Sequence, residues 1–267
     1  MNKETTQLSY TLSIRISTDG FCFCTYSPHN PESVRYTHYE CDSRQTLVAN
    51  FDTAWGASGL AAQRYSKIQV IVATSDFTTI PSEYDDKEKH EALYNSCFPA
   101  RITNEKMLSN RLDSHSLVIL FGMEHELYNR ICEIGEVSFY SPVSILLGFL
   151  ARNPRDKERY MLACYTGNRS TLIAMEGERP TLINAFVTDE IHNQLFYLLS
   201  IWNELHFEQE DDTLVLSGDN TADKLHGEAK NFIRNIERIN ARELFMPNLL
   251  NKIENTPFDL QALILCE

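Results

Sequence analysis

Cysteine and histidine residues on two neighbouring segments form the first set that could bind a metal. Cys22 and Cys24 are separated by one residue, and His38-x-x-Cys41 follows them. Thiolate and imidazole are good zinc ligands, but structural zinc sites space a first pair as C-x₂₋₄-C and match it with a second pair. The pattern here misses that spacing, which favours cysteines packed as small apolar side chains. The sequence therefore predicts no metal site.

Three other polar combinations lack the partners that catalysis requires. His125-Glu126 has no second histidine of a metalloprotease helix. Asp113-Ser114-His115 are adjacent in one turn, whereas the members of a catalytic triad converge from separate elements. The acidic run at residues 208–212 has no glycine at the sharp-turn position of a calcium loop and is typical of a solvated loop. These motifs predict no catalytic residue.

The elements that position such residues follow one order in the first half. Alternation of apolar and polar residues over 8–16 predicts a strand, and Thr18-Asp19-Gly20 predicts a hairpin turn in which Asp-Gly supplies positive φ angles. An N-cap at Asp42-Ser43 begins a helix. The predicted order is strand, strand, strand, helix, strand, at residues 8–16, 21–26, 34–41, 47–55 and 67–73. Further strands are predicted at 77–80, 117–121 and 137–140, with helices at 85–95, 124–134 and 143–151, the last capped by Ser141-Pro142.

The same order returns about 150 residues later. Strands are predicted at 160–165, 170–175 and 181–187, then a helix capped by Asp189 that ends near 205, then a strand at 213–216. Helices are expected at 222–239, 249–254 and 260–266. The polar, Pro-interrupted segment 152–159 is typical of a linker, so we expect two domains, 1–152 and 158–267. The repetition predicts a duplicated α/β fold with mixed sheets covered by helices.

This order resembles the ribonuclease H-like fold that is doubled in the actin and sugar-kinase superfamily. The chain resembles an uncharacterised bacterial family with an actin-like ATPase fold, and the resemblance covers essentially the whole chain. It rests on the segments Leu12-Ser13-Ile14-Arg15-Ile16, Phe77-Thr78-Thr79-Ile80-Pro81, Phe139-Tyr140-Ser141-Pro142, Leu214-Val215-Leu216-Ser217-Gly218 and residues 258–266. It implies two ribonuclease H-like halves, each a mixed sheet with a three-strand antiparallel meander and a crossover helix. A more distant similarity is to the actin-like platform protein of pilus assembly machines, which works largely by binding other proteins.

The resemblance also implies where a nucleotide would bind. In active members of the superfamily, the first hairpin of each half presents backbone N–H groups to the phosphates, and a Gly-Gly turn after a late strand accommodates the adenosine. The corresponding cofactor-binding residues here are Thr18, Asp19, Gly20, Gly167, Asn168, Arg169, Ser217, Gly218 and Asp219. An Asp at the end of each leading strand positions magnesium and the attacking water in such enzymes.

The sequence departs from this pattern at the residues that perform the chemistry. Arg15 stands where the first acid should be, and residues 162–169 of the second half contain no acid. Asp219 replaces the second glycine of the adenosine motif. Ribonuclease H-type nucleases also need a carboxylate on the first strand, so nuclease chemistry is not expected. The fold class therefore does not carry its usual activity to this chain.

Composition excludes several other classes of function. The chain has 267 residues, of which 37 are acidic and 24 are Lys or Arg, giving a net charge of -13. This charge disfavours binding to nucleic acid or to anionic membranes. No segment contains the roughly 20 consecutive apolar residues that span a bilayer, so no membrane insertion is expected. A polar start without a secretory signal and an odd number of cysteines, 7, predict a cytoplasmic protein.

Two functions follow as expectations. The leading one is a non-catalytic actin-like scaffold without a cofactor, which binds an unidentified protein partner or a small ligand through its interdomain cleft or its surface. The alternative is a divergent actin-like ATP-binding protein with weak or no hydrolysis, in which Arg15 or Arg169 meets the phosphate charge.

Overall fold

Two five-stranded sheets organise the chain in a computed structural model that describes residues 10–27, 29–99, 104–239 and 256–265. Sheet 1 consists of β1 (Thr11–Ile16), β2 (Gly20–Ser27), β3 (Asn30–Glu40), β4 (Lys67–Val72) and β8 (Val137–Tyr140), in the order β3-β2-β1-β4-β8. The first three strands form an antiparallel meander, whereas β4 is parallel to β1 and β8 is parallel to β4. The helix α1 (Leu47–Ser58) makes the crossover from β3 to β4.

Sheet 2 repeats this topology. It consists of β9 (Arg159–Thr166), β10 (Arg169–Glu176), β11 (Arg179–Val187), β12 (Thr213–Gly218) and β13 (Asn235–Arg238), in the order β11-β10-β9-β12-β13. Again the meander is antiparallel and the last two strands are parallel to the first. The helix α5 (Ile191–Glu204) makes the crossover. The predicted duplication, with two mixed sheets and crossover helices, is confirmed.

A smaller antiparallel sheet is inserted between β4 and β8. It consists of β5 (Phe77–Pro81), β6 (Glu105–Leu112) and β7 (Leu117–Glu124), in the order β5-β7-β6. The helix α2 (His90–Cys97) packs on it through Tyr94, which lies in a small core with Ile80 and Leu120. Sequence analysis missed β6 because its few apolar residues do not alternate regularly with polar ones.

The two faces of each sheet have different partners. In sheet 1, Phe23 of β2 packs on Phe51 and Trp55 of α1, at ring-centroid distances of 6.3 and 5.9 Å. In sheet 2, Met161 of β9 lies in a core with residues of α5 and of α6 (Asn220–Ala229). The next residue, Leu162, points to the other face and joins the core of the first half, as the two-residue period of a strand requires. One continuous core therefore connects sheet 2 to the first half.

Two helices extend this shared core. They are α4 (Pro142–Arg152) and α7 (Phe258–Leu265), which touch through Phe149 and Phe258 at a ring distance of 5.3 Å. As predicted, Ser141 caps α4, and its hydroxyl accepts a hydrogen bond from the N–H of Val143 at 3.2 Å. The helix α3 (His125–Cys132) lies between β7 and β8, close to its predicted position.

Three element predictions are wrong and one lies outside the described residues. Thr46, not Asp42-Ser43, caps α1, because its hydroxyl accepts from the N–H of Ala49. Glu190, not Asp189, precedes α5. The helix expected at 222–239 ends at Ala229, because residues 235–238 pair with β12 as a strand. The helix predicted at 249–254 is not within the described residues.

The lengths of the helices can be compared with the thickness of a membrane. Among the described residues, no helix is long and apolar enough to cross a membrane. The α5 helix has 14 residues, against the roughly 20 that a bilayer core requires.

Candidate functional site between the two halves

The first predicted cofactor-binding group forms the tip of the β1–β2 hairpin. Ser17 and Gly20 exchange two backbone hydrogen bonds of 3.0 and 3.3 Å, which leaves Thr18 and Asp19 exposed at the tip. Gly20 has no positive φ, so the conformational reason predicted for it is wrong. Its backbone instead lies so close to β3 that a Cβ would overlap the carbonyl oxygen of Tyr39.

The second and third groups meet at the carboxyl end of sheet 2. Gly167 has a φ of +58°, and its N–H donates to Oδ2 of Asp219 at 2.6 Å. The other carboxylate oxygen of Asp219 accepts from the N–H of Thr221 at 2.8 Å and so caps α6. Asn168 donates to Asp189 at 3.0 Å. Asp219 therefore holds the second hairpin and the start of α6 together, which is a sufficient structural role for its carboxylate.

Gly218 occupies a position that only glycine fits. Its φ is +114°, and a Cβ would overlap the carbonyl oxygen of Tyr165 in the neighbouring strand. Ser217, which precedes it, is fully buried. The end of β12 is therefore packed tightly against β9, as the N–H of Asp219 also donates to the Tyr165 carbonyl at 3.1 Å.

A buried ion pair occupies the place where the resemblance would require an acid. The Nε of Arg15 lies 2.9 Å from both carboxylate oxygens of Asp259 in α7. The two residues are only 5% and 3% exposed. Burial is the largest single influence and would lower the pKa of Arg15, but attraction to Asp259 and Cys22 and the hydrogen bond to Asp259 together outweigh it, so the pKa is raised. The inner face of the first strand therefore presents a paired guanidinium group.

Arg169 connects the second hairpin to the first half. Its guanidinium donates to the carbonyl oxygen of Ala73, whose own N–H donates to Ile16 at the end of β1. Burial, and then repulsion by Arg15, lower the pKa of Arg169 to about 10, whereas Asp259 and Asp19 act in the opposite direction. The structure thus brings the two hairpins together across one polar cluster, which we call the arginine cluster: Arg15, Arg169, Asp259 and Asp19.

Sequence analysis missed two residues of this region. Asp259 is an acid within a mostly apolar segment, and a buried acid requires a cationic partner. This contrast between the acid and its apolar neighbours could have indicated a buried ion pair. Arg238 at the end of β13 donates to the Gly218 carbonyl at 2.9 Å and pairs with Asp223 at 3.0 Å. The sequence did not indicate that Arg238 lies near Gly218, because residues 222–239 were predicted to form one helix rather than a strand beside β12.

One cysteine of the first sheet, Cys22, accepts a hydrogen bond from a neighbouring tyrosine. The hydroxyl of Tyr36 donates to Sγ of Cys22 at 3.2 Å, and burial raises the pKa of the Cys22 thiol. Within the described ranges, no group of three or more His, Cys, Asp or Glu side chains is arranged to hold a metal ion.

The duplicated topology and the position of the hairpins define the actin-like ATPase fold. A protein from Bacteroides thetaiotaomicron VPI-5482, described as having this fold and unknown function, matches with a TM-score of 0.83 and 29% identity over 100% of both chains. The PilM–PilN type IV pilus biogenesis complex matches with a TM-score of 0.53 and 12% identity, over 96% of this chain and 98% of that one. A family described as "Protein of unknown function (DUF3822)" matches residues 1–236, and the chain belongs to that family. No curated protein matches the chain.

Proposed function

We propose that the chain is a non-catalytic actin-like scaffold that binds a partner protein or a small ligand through the cleft between its halves or through its surface. The observation that carries this proposal is the buried Arg15–Asp259 pair. In the enzymes of this fold an acid on the first strand holds magnesium near the phosphates. A guanidinium has only hydrogen-bond donors and offers no ligand atom to a metal ion, and the nearby Asp259 carboxylate is already paired with it.

The composition of both leading strands supports the same proposal. Neither β1 nor β9 contains a carboxylate side chain. Phosphoryl transfer in nucleotide-hydrolysing enzymes depends on metal ions that neutralise charge between the phosphates. The Asp219 carboxylate is also engaged by two backbone N–H groups, which leaves it poorly placed to accept a metal.

A second candidate is a divergent nucleotide-binding protein with weak or no hydrolysis. The observation that favours it is the state of Arg169, whose buried Nε has no hydrogen-bond partner among the described residues. A phosphate oxygen is a natural acceptor for such a donor, because a guanidinium binds phosphate without a metal. Thr18 and Asp19 at the exposed tip would then face the same ligand.

A thermal melt of the full chain with millimolar ATP, with and without magnesium, separates these functions. A ligand at 100 times its dissociation constant adds about 2.7 kcal/mol, which raises the Tm by several degrees. The scaffold proposal expects no rise under either condition. A rise without magnesium supports the second candidate, and a rise that requires magnesium contradicts both proposals.

Matched variants assign any rise to the cleft. Arg169→Gln should abolish a nucleotide-dependent rise, whereas Arg179→Gln, at an exposed arginine that begins β11, should not. Gly218 is unsuitable as a probe, because any side chain there collides with the Tyr165 carbonyl and would disturb the fold itself.

A further inference from the structure

A cavity of about 590 Å³ opens at the end of sheet 1 that faces away from the hairpins. It lies where β4 begins, between the segment that follows α1 and the turn that joins α3 to β8. Small-molecule sites in proteins have volumes of about 300–1,000 Å³. Because β4 has 6 residues, this cavity is about 20 Å from the arginine cluster at the other end of the strand. The two sites are therefore separate.

Two aromatic side chains form fixed walls of this cavity. Trp55 is 8% exposed and stacks on Phe51, with ring centroids 6.1 Å apart and an interplanar angle of 11°. The hydroxyl of Tyr65 donates to the Leu60 carbonyl at 3.0 Å. Both rings are thus held in place before any ligand binds, which reduces the entropy lost on binding. Ile68 and Ile134 add apolar surface beside them.

The charge of the lining differs from that of the rest of the molecule. Arg64, Lys67 and Arg130 line the cavity with only two acids, Glu133 and Glu136, in a chain whose net charge is -13. Arg130 is neutralised between Asp52 at 2.7 Å and Glu133 at 3.0 Å.

Arg64 differs from Arg130 in its contacts. It is exposed, and among the described residues it has neither an ion pair nor a hydrogen bond. One guanidinium at the cavity is therefore available to an anionic ligand, next to two fixed aromatic rings.

We propose that this cavity binds a planar aromatic ligand that carries a single negative charge. The ring of the ligand packs against Trp55 and Tyr65, and its carboxylate, sulfonate or phosphate oxygens accept hydrogen bonds from Arg64. A guanidinium presents planar donors that match such an oxyanion. Neutral aromatic molecules lose the contact with Arg64, and small anions without a ring lose the apolar contact. This proposal does not depend on the function proposed for the cleft.

Fluorescence titration of the full chain tests the proposal with two probes of similar shape. The first is 1-anilinonaphthalene-8-sulfonate and the second is the neutral N-phenyl-1-naphthylamine. The chain has 2 tryptophans, so Trp202→Phe leaves Trp55 as the only donor for energy transfer. Trp202 is buried in the other half, and this change removes no hydrogen bond among the described residues, because the Nε1 of Trp202 has no partner there. The expected result is saturable quenching of Trp55 by the sulfonate, with binding at least ten-fold tighter than that of the neutral probe.

Two arginine variants complete the experiment. Arg64→Ala should weaken binding of the sulfonate at least ten-fold and leave the neutral probe unaffected. Arg35→Ala, at an exposed arginine of β3, should change neither affinity. Equal affinities of the two probes, sulfonate binding that survives Arg64→Ala, or probe fluorescence without quenching of Trp55 would each overturn the proposal. Circular dichroism of Arg64→Ala, expected to match the parent, excludes unfolding as the cause of a loss.

Discussion

The Arg15–Asp259 pair allows a quantitative test of how the two ends of the chain are joined. Asp259→Asn keeps the shape of the side chain but leaves the Arg15 guanidinium buried without a counter-charge. Both residues are 5% exposed or less, so solvent screens their interaction little. Removal of one partner of a buried ion pair costs about 3–5 kcal/mol. We expect the lower end of this range, about 3 kcal/mol, because the amide oxygen of Asn still accepts a hydrogen bond.

Urea unfolding measured by circular dichroism gives the free energies of unfolding. Arg15→Met should destabilise the protein to a similar extent, because it leaves the Asp259 carboxylate buried. The double variant Arg15→Met/Asp259→Leu should recover most of the loss, since a buried pair can be replaced by apolar side chains at little or no cost. The matched control is Arg44→Met, which removes an exposed pair with Asp42 and should leave the stability unchanged within error.

Two results would refute the reasoning. The first is a loss for Asp259→Asn below about 0.5 kcal/mol, the range of ordinary surface substitutions. The second is a double variant whose loss equals the sum of the single losses, because independent sites add and coupled sites do not. Either result would mean that the guanidinium is solvated and that α7 is not held to β1 by this contact.

Three further predictions concern the second hairpin, the labelling of the cysteines and the effect of the buried thiols on stability. Gly218→Ala should lower the Tm much more than Gly167→Ala, because a Cβ at Gly218 would overlap the Tyr165 carbonyl oxygen. A Cβ at Gly167 would meet open space, so Gly167→Ala should lower the free energy of unfolding by about 1 kcal/mol through the positive φ alone. Equal losses in the two melts would contradict the close approach. Iodoacetamide at pH 8 should label exposed Cys97 and Cys132 in the native protein and spare Cys24 and Cys164, as peptide mass mapping would show. Burial raises the pKa of the Cys24 and Cys164 thiols from 9.0 to about 12. Their contribution to the free energy of unfolding is therefore complete below pH 9 and decreases between pH 9 and 12. Urea unfolding should accordingly give a lower free energy of unfolding at pH 10 than at pH 8.

The fold could be predicted because its strongest signals are local. Alternation of apolar and polar residues marks β1, and short turns join it to the rest of the meander, so neighbours in sequence are neighbours in the sheet. The same signals recur in sheet 2, and their repetition indicated the duplication. Of the strands that were missed, β6 pairs with the next strand, β7, but lacks regular alternation, whereas β13 depends on a partner further away in the sequence. β13 pairs with β12 at the edge of sheet 2, and this pairing makes residues 235–238 a strand although their sequence pattern predicts a helix.

The candidate site could be predicted only where the backbone alone determines it. Gly167 and Asp219 meet because β9 and β12 are adjacent strands that end at the same edge. The partner of Arg15 could not be found in this way, because Arg15 lies on the strand β1 and Asp259 lies 244 positions away in the helix α7. Local periodicity contains no information about which helix covers the polar face of a strand. The presence of a buried acid in an apolar tail predicts a partner but does not identify it.

The two halves share a topology, yet each places its arginine on a different side of its first turn. Arg15 lies on the incoming strand of sheet 1, whereas Arg169 begins the outgoing strand of sheet 2. Both side chains reach the same space between the hairpins, and the lowered pKa of Arg169 reflects burial first and then its proximity to Arg15. The carboxylates of Asp259 and Asp19 lie near the same guanidinium groups, and both oxygens of Asp259 already accept hydrogen bonds from Arg15, so this buried carboxylate is committed to a guanidinium. The cleft therefore differs from the nucleotide site that the resemblance implies at particular residues: Arg15 stands in place of an acid, and Asp219 in place of a second glycine.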